Sequence, residues 1–83
     1  ANIVTMVDEN NPNAVMVLIG DGSKNVVFGA VNSDPEASAT FEVPAGNWSI
    51  YADKTRAGTA PLGTQAPGPV TIPPGSALIL MAR

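Results

Sequence analysis

The side chains able to do chemistry are seven carboxylates and two neighbouring aromatics. The carboxylates are Asp8, Glu9, Asp21, Asp34, Glu36, Glu42 and Asp53; the aromatics are Trp48 and Tyr51. Glycosidic hydrolysis needs two carboxylates facing each other across roughly 5–10 Å. Most of these seven fall in turn sequences, and Asp21, Asp34 and Asp53 stand where Asx side chains favour turn geometry. Structural turn use is the expectation, and no catalytic pair is assigned. The chain has no His and no Cys. That removes the usual general base, the Ser-His relay, the thiolate nucleophile and the common zinc sites. Asp21-Gly22-Ser23 and Asp8-Glu9-Asn10-Asn11 lack the full calcium loop with its closing Glu. Ala57-Gly58-Thr59 lacks the Lys-Ser/Thr ending of a phosphate loop. No metal and no cofactor are expected.

Trp48 and Tyr51 are the candidate carbohydrate-contacting residues, since an exposed ring can pack on the face of a pyranose. Strand parity separates them, because successive side chains point to opposite faces. Trp48 shares its predicted face with Ile50 and Ala52, which favours a core role over a ligand contact. Tyr51 points the other way beside Ser49 and is the better exposed aromatic.

Eighty-three residues make one domain with a thin core. Eight Gly and eight Pro punctuate short runs rich in Val, Ile, Ala and Thr. No window holds a sustained helical period with caps. The pattern predicts an all-β fold, an antiparallel β-sandwich of about six to eight short strands, Greek-key-like. Predicted strands cover 3–7, 14–19, 25–31, 38–43, 47–53, 70–72 and 76–81. Turns are predicted at 8–13, 20–25, 32–36, 44–47 and at Asp53-Lys54-Thr55-Arg56. Gly29, inside a strand, predicts a bulge or a close backbone approach. Strands 14–19 and 77–81 are apolar on both faces. One face of each meets a core, so the other, with Val15, Val17 and Ile19 or their opposites, needs a cover. That cover is either a neighbouring domain or crossing loops.

The formal charge is −3 and the basic residues Lys24, Lys54, Arg56 and Arg83 are scattered, so no nucleic-acid partner is expected. No apolar run reaches the roughly 20 residues of a spanning helix, so no membrane span is expected. No signal peptide is recognisable. The chain begins at Ala1 rather than Met and is expected to be a piece of a longer one.

Several segments carry a family likeness through their order: Val26–Asp34 (VVFGAVNSD), Phe41–Gly46 (FEVPAG), Trp48–Asp53 (WSIYAD), Ala57–Thr59 (AGT) and Val70–Leu80 (VTIPPGSALIL). Together they resemble the C-terminal β-domain of type I pullulanases, the debranching enzymes of the α-amylase superfamily. The resemblance implies that residues 1–83 are a single C-terminal accessory β-sandwich and not themselves an enzyme. The parent chain would hydrolyse α-1,6-glucosidic bonds with carboxylates in a (β/α)₈ barrel, and this domain would pack on and stabilise that barrel. It implies the barrel of the same chain as partner, an α-glucan as a further candidate partner, and a bacterial source with secreted or surface-attached members. Two other readings stay open: a carbohydrate-binding module using Tyr51 or Trp48, and a free-standing surface or adhesion sandwich.

Overall fold

A computed structural model describes residues 2–22, 24–53, 57–58 and 61–83. Among these lie eight strands: β1 (Asn2–Asp8), β2 (Asn11–Asp21), β3 (Lys24–Asn32), β4 (Ala39–Val43), β5 (Trp48–Ala52), β6 (Gly63–Gln65), β7 (Gly68–Ile72) and β8 (Ser76–Ala82). They form a six-stranded sheet in the order β1-β2-β3-β8-β5-β6 and a two-stranded sheet, β4-β7. Every pairing is antiparallel. The last strand returns to lie between β3 and β5, the long-range closure expected of a Greek-key sandwich.

The core lies between the sheets. Met16, Phe28, Ala30, Leu78, Leu80 and Trp48 of the large sheet meet Ala39, Phe41, Val43 and Ile72 of the small one. β4 is a half-buried strand in pure form: Ala39, Phe41 and Val43 are buried while Thr40 and Glu42 are exposed. Trp48 meets Phe28 edge to face at 6.5 Å between ring centroids. Its Nε1–H donates to the Pro44 carbonyl at 2.9 Å. Gly46, at a φ of 136°, lets the chain turn beside that ring.

Several expectations are corrected. The Pro44–Asn47 turn does not close a hairpin. β4 pairs with β7 and β5 with β8 and β6, so 44–47 arches from one sheet to the other. The 8–13 segment is mostly strand, and Pro12 lies inside β2. It is tolerated because the ladder breaks there: the register slips between Val7 and Asp8, leaving Pro12 without a β1 partner. Gly29 pairs regularly with Val17 and Ile79, without a bulge. The β2 irregularity falls between Ile19 and Gly20 instead, where a Cβ on Gly20 would come within 2.9 Å of the Lys24 carbonyl oxygen. Strand β6 has no counterpart in the sequence reading. Of the predicted turn at Asp53–Arg56, residues 54–56 lie outside the described residues, as do Ser23 and Thr59.

Candidate docking face

Two buried amides order one end of the sandwich. Asn32 is 1% exposed. Its Nδ2 donates to the carbonyls of Ala37 at 2.7 Å and Ile72 at 3.1 Å. Its Oδ1 accepts from the Asp34 amide at 3.0 Å and from Asn11 Nδ2 at 3.3 Å. Asn11 Nδ2 also donates to the carbonyls of Ala37 and Ser38. Together they tie down the crossing from β3 to β4. Sequence reasoning missed both; the signal was an Asn ending an apolar strand directly before Ser-Asp-Pro.

The carboxylates nearby serve the backbone. Asp34 accepts from the amides of Glu36 and Ala37, both at 2.8 Å, and from Asn13 Nδ2. The Ala37 and Glu36 amides, then the Asn13 side chain, hold its pKa below the usual carboxylate value. Asp8 accepts from the amides of Thr40 and Asn10, and these lower its pKa too. Among the described residues no three Asp or Glu side chains converge to hold a metal ion.

Trp48 is 1% exposed, inside the core with Phe28. Tyr51 is half-buried. The register slips between Ile50 and Ala52, so Tyr51 is the extra residue of a bulge. Ile50 lies opposite core Leu80, but Ala52 lies opposite Ile79 on the other face. The predicted sharing of one face by Trp48, Ile50 and Ala52 therefore fails at Ala52. A bulge adds one residue and inverts the parity beyond it.

Among the described residues, many exposed large apolar side chains lie on the outer side of the six-stranded sheet. Pairing lines its side chains up in three rows across four strands. One row is Ile3, Ile19, Val27 and Met81; the next is Thr5, Val17, Gly29 and Ile79; the third is Val7, Val15, Val31 and Ala77. Thr5 is the single polar residue among them, and none is ionisable. Ile3 is 67% exposed, Val7 56% and Val31 46%, while Val17, Ile19, Val27 and Ile79 are half-buried. Charge is confined to strand ends such as Asp8, Asp21 and Lys24. At Gly29 the face is dented, with Ile79 Cδ1 lying 3.4 Å from where a Cβ would stand. A contiguous charge-free surface of this kind is the sort that interaction sites present.

The geometry thus defines an all-β antiparallel sandwich with one sheet face left apolar. No protein-family model matches the chain, and no curated protein matches it. A solved structure does: pullulanase from Bacillus acidopullulyticus, at 27% sequence identity and a TM-score of 0.72. The match covers 96% of this chain and 10% of that one, so the chain spans about a tenth of the pullulanase's length. The small β domain therefore has the fold of a segment of a pullulanase.

Proposed function

We propose that the chain is a non-catalytic accessory domain of a pullulanase-type α-glucan debranching enzyme, C-terminal to a (β/α)₈ barrel. The apolar outer face of the six-stranded sheet docks on that barrel and stabilises it. The parent polypeptide hydrolyses α-1,6-glucosidic linkages with carboxylates that lie in the barrel. The observation that carries the reading is that outer face, four strands wide and without an ionisable side chain. The likeness to a pullulanase segment supports the choice of parent.

The test places a charge in the dock. In the parent polypeptide, Val31→Lys buries an unpaired ammonium on docking and lowers the melting temperature of the catalytic domain, leaving substrate range unchanged. The same substitution in the 83-residue chain leaves the fold intact, because Val31 is 46% exposed there. An unchanged melting temperature in the parent would overturn the reading. A carbohydrate-binding role is the second reading; it rests on Tyr51, half-buried at its bulge, since Trp48 is enclosed by the core.

A further inference from the structure

A second surface lies on the inner side of the large sheet, away from the proposed dock. The small sheet has two strands and the large one six. Strand β1 projects past its cover. Val4 and Met6 lie opposite Leu18 and Met16 on the core side of the sheet, yet are 49% and 53% exposed. Between β1 and β4 an open groove of about 270 Å³ is floored by Met6, Met16 and Phe41 and rimmed by Asp8, Glu9 and Glu42.

The wall of this groove is an unpaired strand edge. The Thr40 amide points away from β7, since it donates to Asp8 Oδ2 at 3.0 Å. Backbone groups alternate along an antiparallel strand, so the N–H and C=O of Glu42 point the same way, out of the sheet. Among the described residues no strand pairs with this edge. The opposite edge of the small sheet is blunted, because Pro69, facing Glu42 across the pair, has no N–H to offer. The edge of β4 is capped by Asp8 at the Thr40 amide and has no proline block at Glu42.

We propose that this groove takes one extended peptide strand from a partner, paired to the β4 edge at the open N–H and C=O of Glu42, with Lys or Arg alternating with apolar residues. Apolar side chains on one face of that strand fill the space over Val4 and Met6. Side chains on its other face lie beside exposed Glu42, where a cation is the favourable cross-strand neighbour. The three rim carboxylates meet no described basic residue: Lys24 and Arg83 line a different groove, beside Trp48. A second copy of this chain is a poor occupant. Lys24 is the one basic residue in any described strand, and β1 has none.

The experiment is amide NMR on the 83-residue chain, titrated with a short capped peptide alternating Lys or Arg with Val or Ile. A control peptide carries Glu at each cationic position. The expected result is saturable shifts at Met6, Asp8, Thr40 and Glu42, slowed exchange of the Glu42 amide, and loss of the effect with the Glu peptide. Glu42→Lys, on an exposed side chain, should keep the native spectrum and weaken binding about tenfold, since it turns an attractive cross-strand pair into a repulsive one. Equal binding of the Glu peptide, unchanged binding by Glu42→Lys, no shifts, or shifts confined to Val15, Val31 and their neighbours would each overturn the proposal. So would shifts of the groove amides on concentrating the chain alone, which would make the occupant a second copy. Apart from shifts at Val15 and Val31, which would place the peptide on the outer face, none of these outcomes bears on docking there.

Discussion

Asn32→Asp changes one buried atom from donor to acceptor and makes the fold depend on pH in a stated direction. Asn32 Nδ2 lies 2.7 Å from the Ala37 carbonyl oxygen and 3.1 Å from that of Ile72. An ionised Asp would turn a negative oxygen toward both. Loss of the two donated bonds costs about 1–3 kcal/mol. Burial and the two carbonyls disfavour the charged form, whereas the Asp34 amide and Asn11 Nδ2 still donate to the other oxygen. A net rise of about two units in the folded-state pKa is worth about 2.7 kcal/mol. At neutral pH the variant should therefore lose about 4–6 kcal/mol, close to the whole stability of a domain this small. The sign follows from linkage. A folded pKa above the unfolded value of about 3.9 means the ionisation penalty is complete above the folded pKa and vanishes below the unfolded one. Urea unfolding of variant and wild type, compared at each pH, should give a difference that shrinks to about 1–3 kcal/mol in acid, where the carboxylic acid carries its own proton. A difference of the same size at both ends of the range would show that Asn32 is not held between those carbonyls.

Two further perturbations test the core and the turns. Trp48→Ala should cost about 3–5 kcal/mol. Trp48→Phe keeps a ring against Phe28 but strips the donor from Pro44, and should cost about 1–3 kcal/mol, read from urea midpoints at unchanged slope. Asp34 has a lowered folded pKa, so its contribution is present above the unfolded value and is lost as pH falls through the folded one. Asp34→Asn should flatten the acid limb of a melting-temperature profile; a limb as steep as the wild type's would remove Asp34 from the account.

The strand-rich composition, the Gly/Pro spacing and the alternation in 39–43 were legible because each is a local signal acting within one strand. The assignment of β4 and β5 to different sheets was not. A Pro-Ala-Gly-Asn turn suits an arch as well as a hairpin, and only pairing with β7 and β8, far along the chain, decides between them. The bulge at Tyr51 left no mark in residue types, yet it inverted the face of Ala52. Gly63-Thr64-Gln65 carries no apolar pattern and is a strand because β5 offers it an edge. Pro12, inside the predicted turn at 8–13, sits in a strand because the β1 ladder is interrupted beside it.

The candidate site was legible for the opposite reason. The sequence shows 14–19 and 77–81, in β2 and β8, as apolar on both faces, and a two-layer sandwich can bury one face of each; β1 and β3 join the outer face only through pairing. The even-numbered residues Met16, Phe28 and Leu80 take the core, so parity drives Val17, Val27 and Ile79 outward whatever the loops do. A one-residue slip would exchange the two sets, and with both apolar the hydrophobic pattern alone cannot forbid it. The buried Asn pair can. Asn32 lies in β3 in line with Phe28 and Ala30, and a slip would carry its amide away from the Ala37 and Ile72 carbonyls and onto the outer face. The polar cluster at one end thus sets the register that leaves the apolar face outward, and loss of the pair should loosen that face as well as the core.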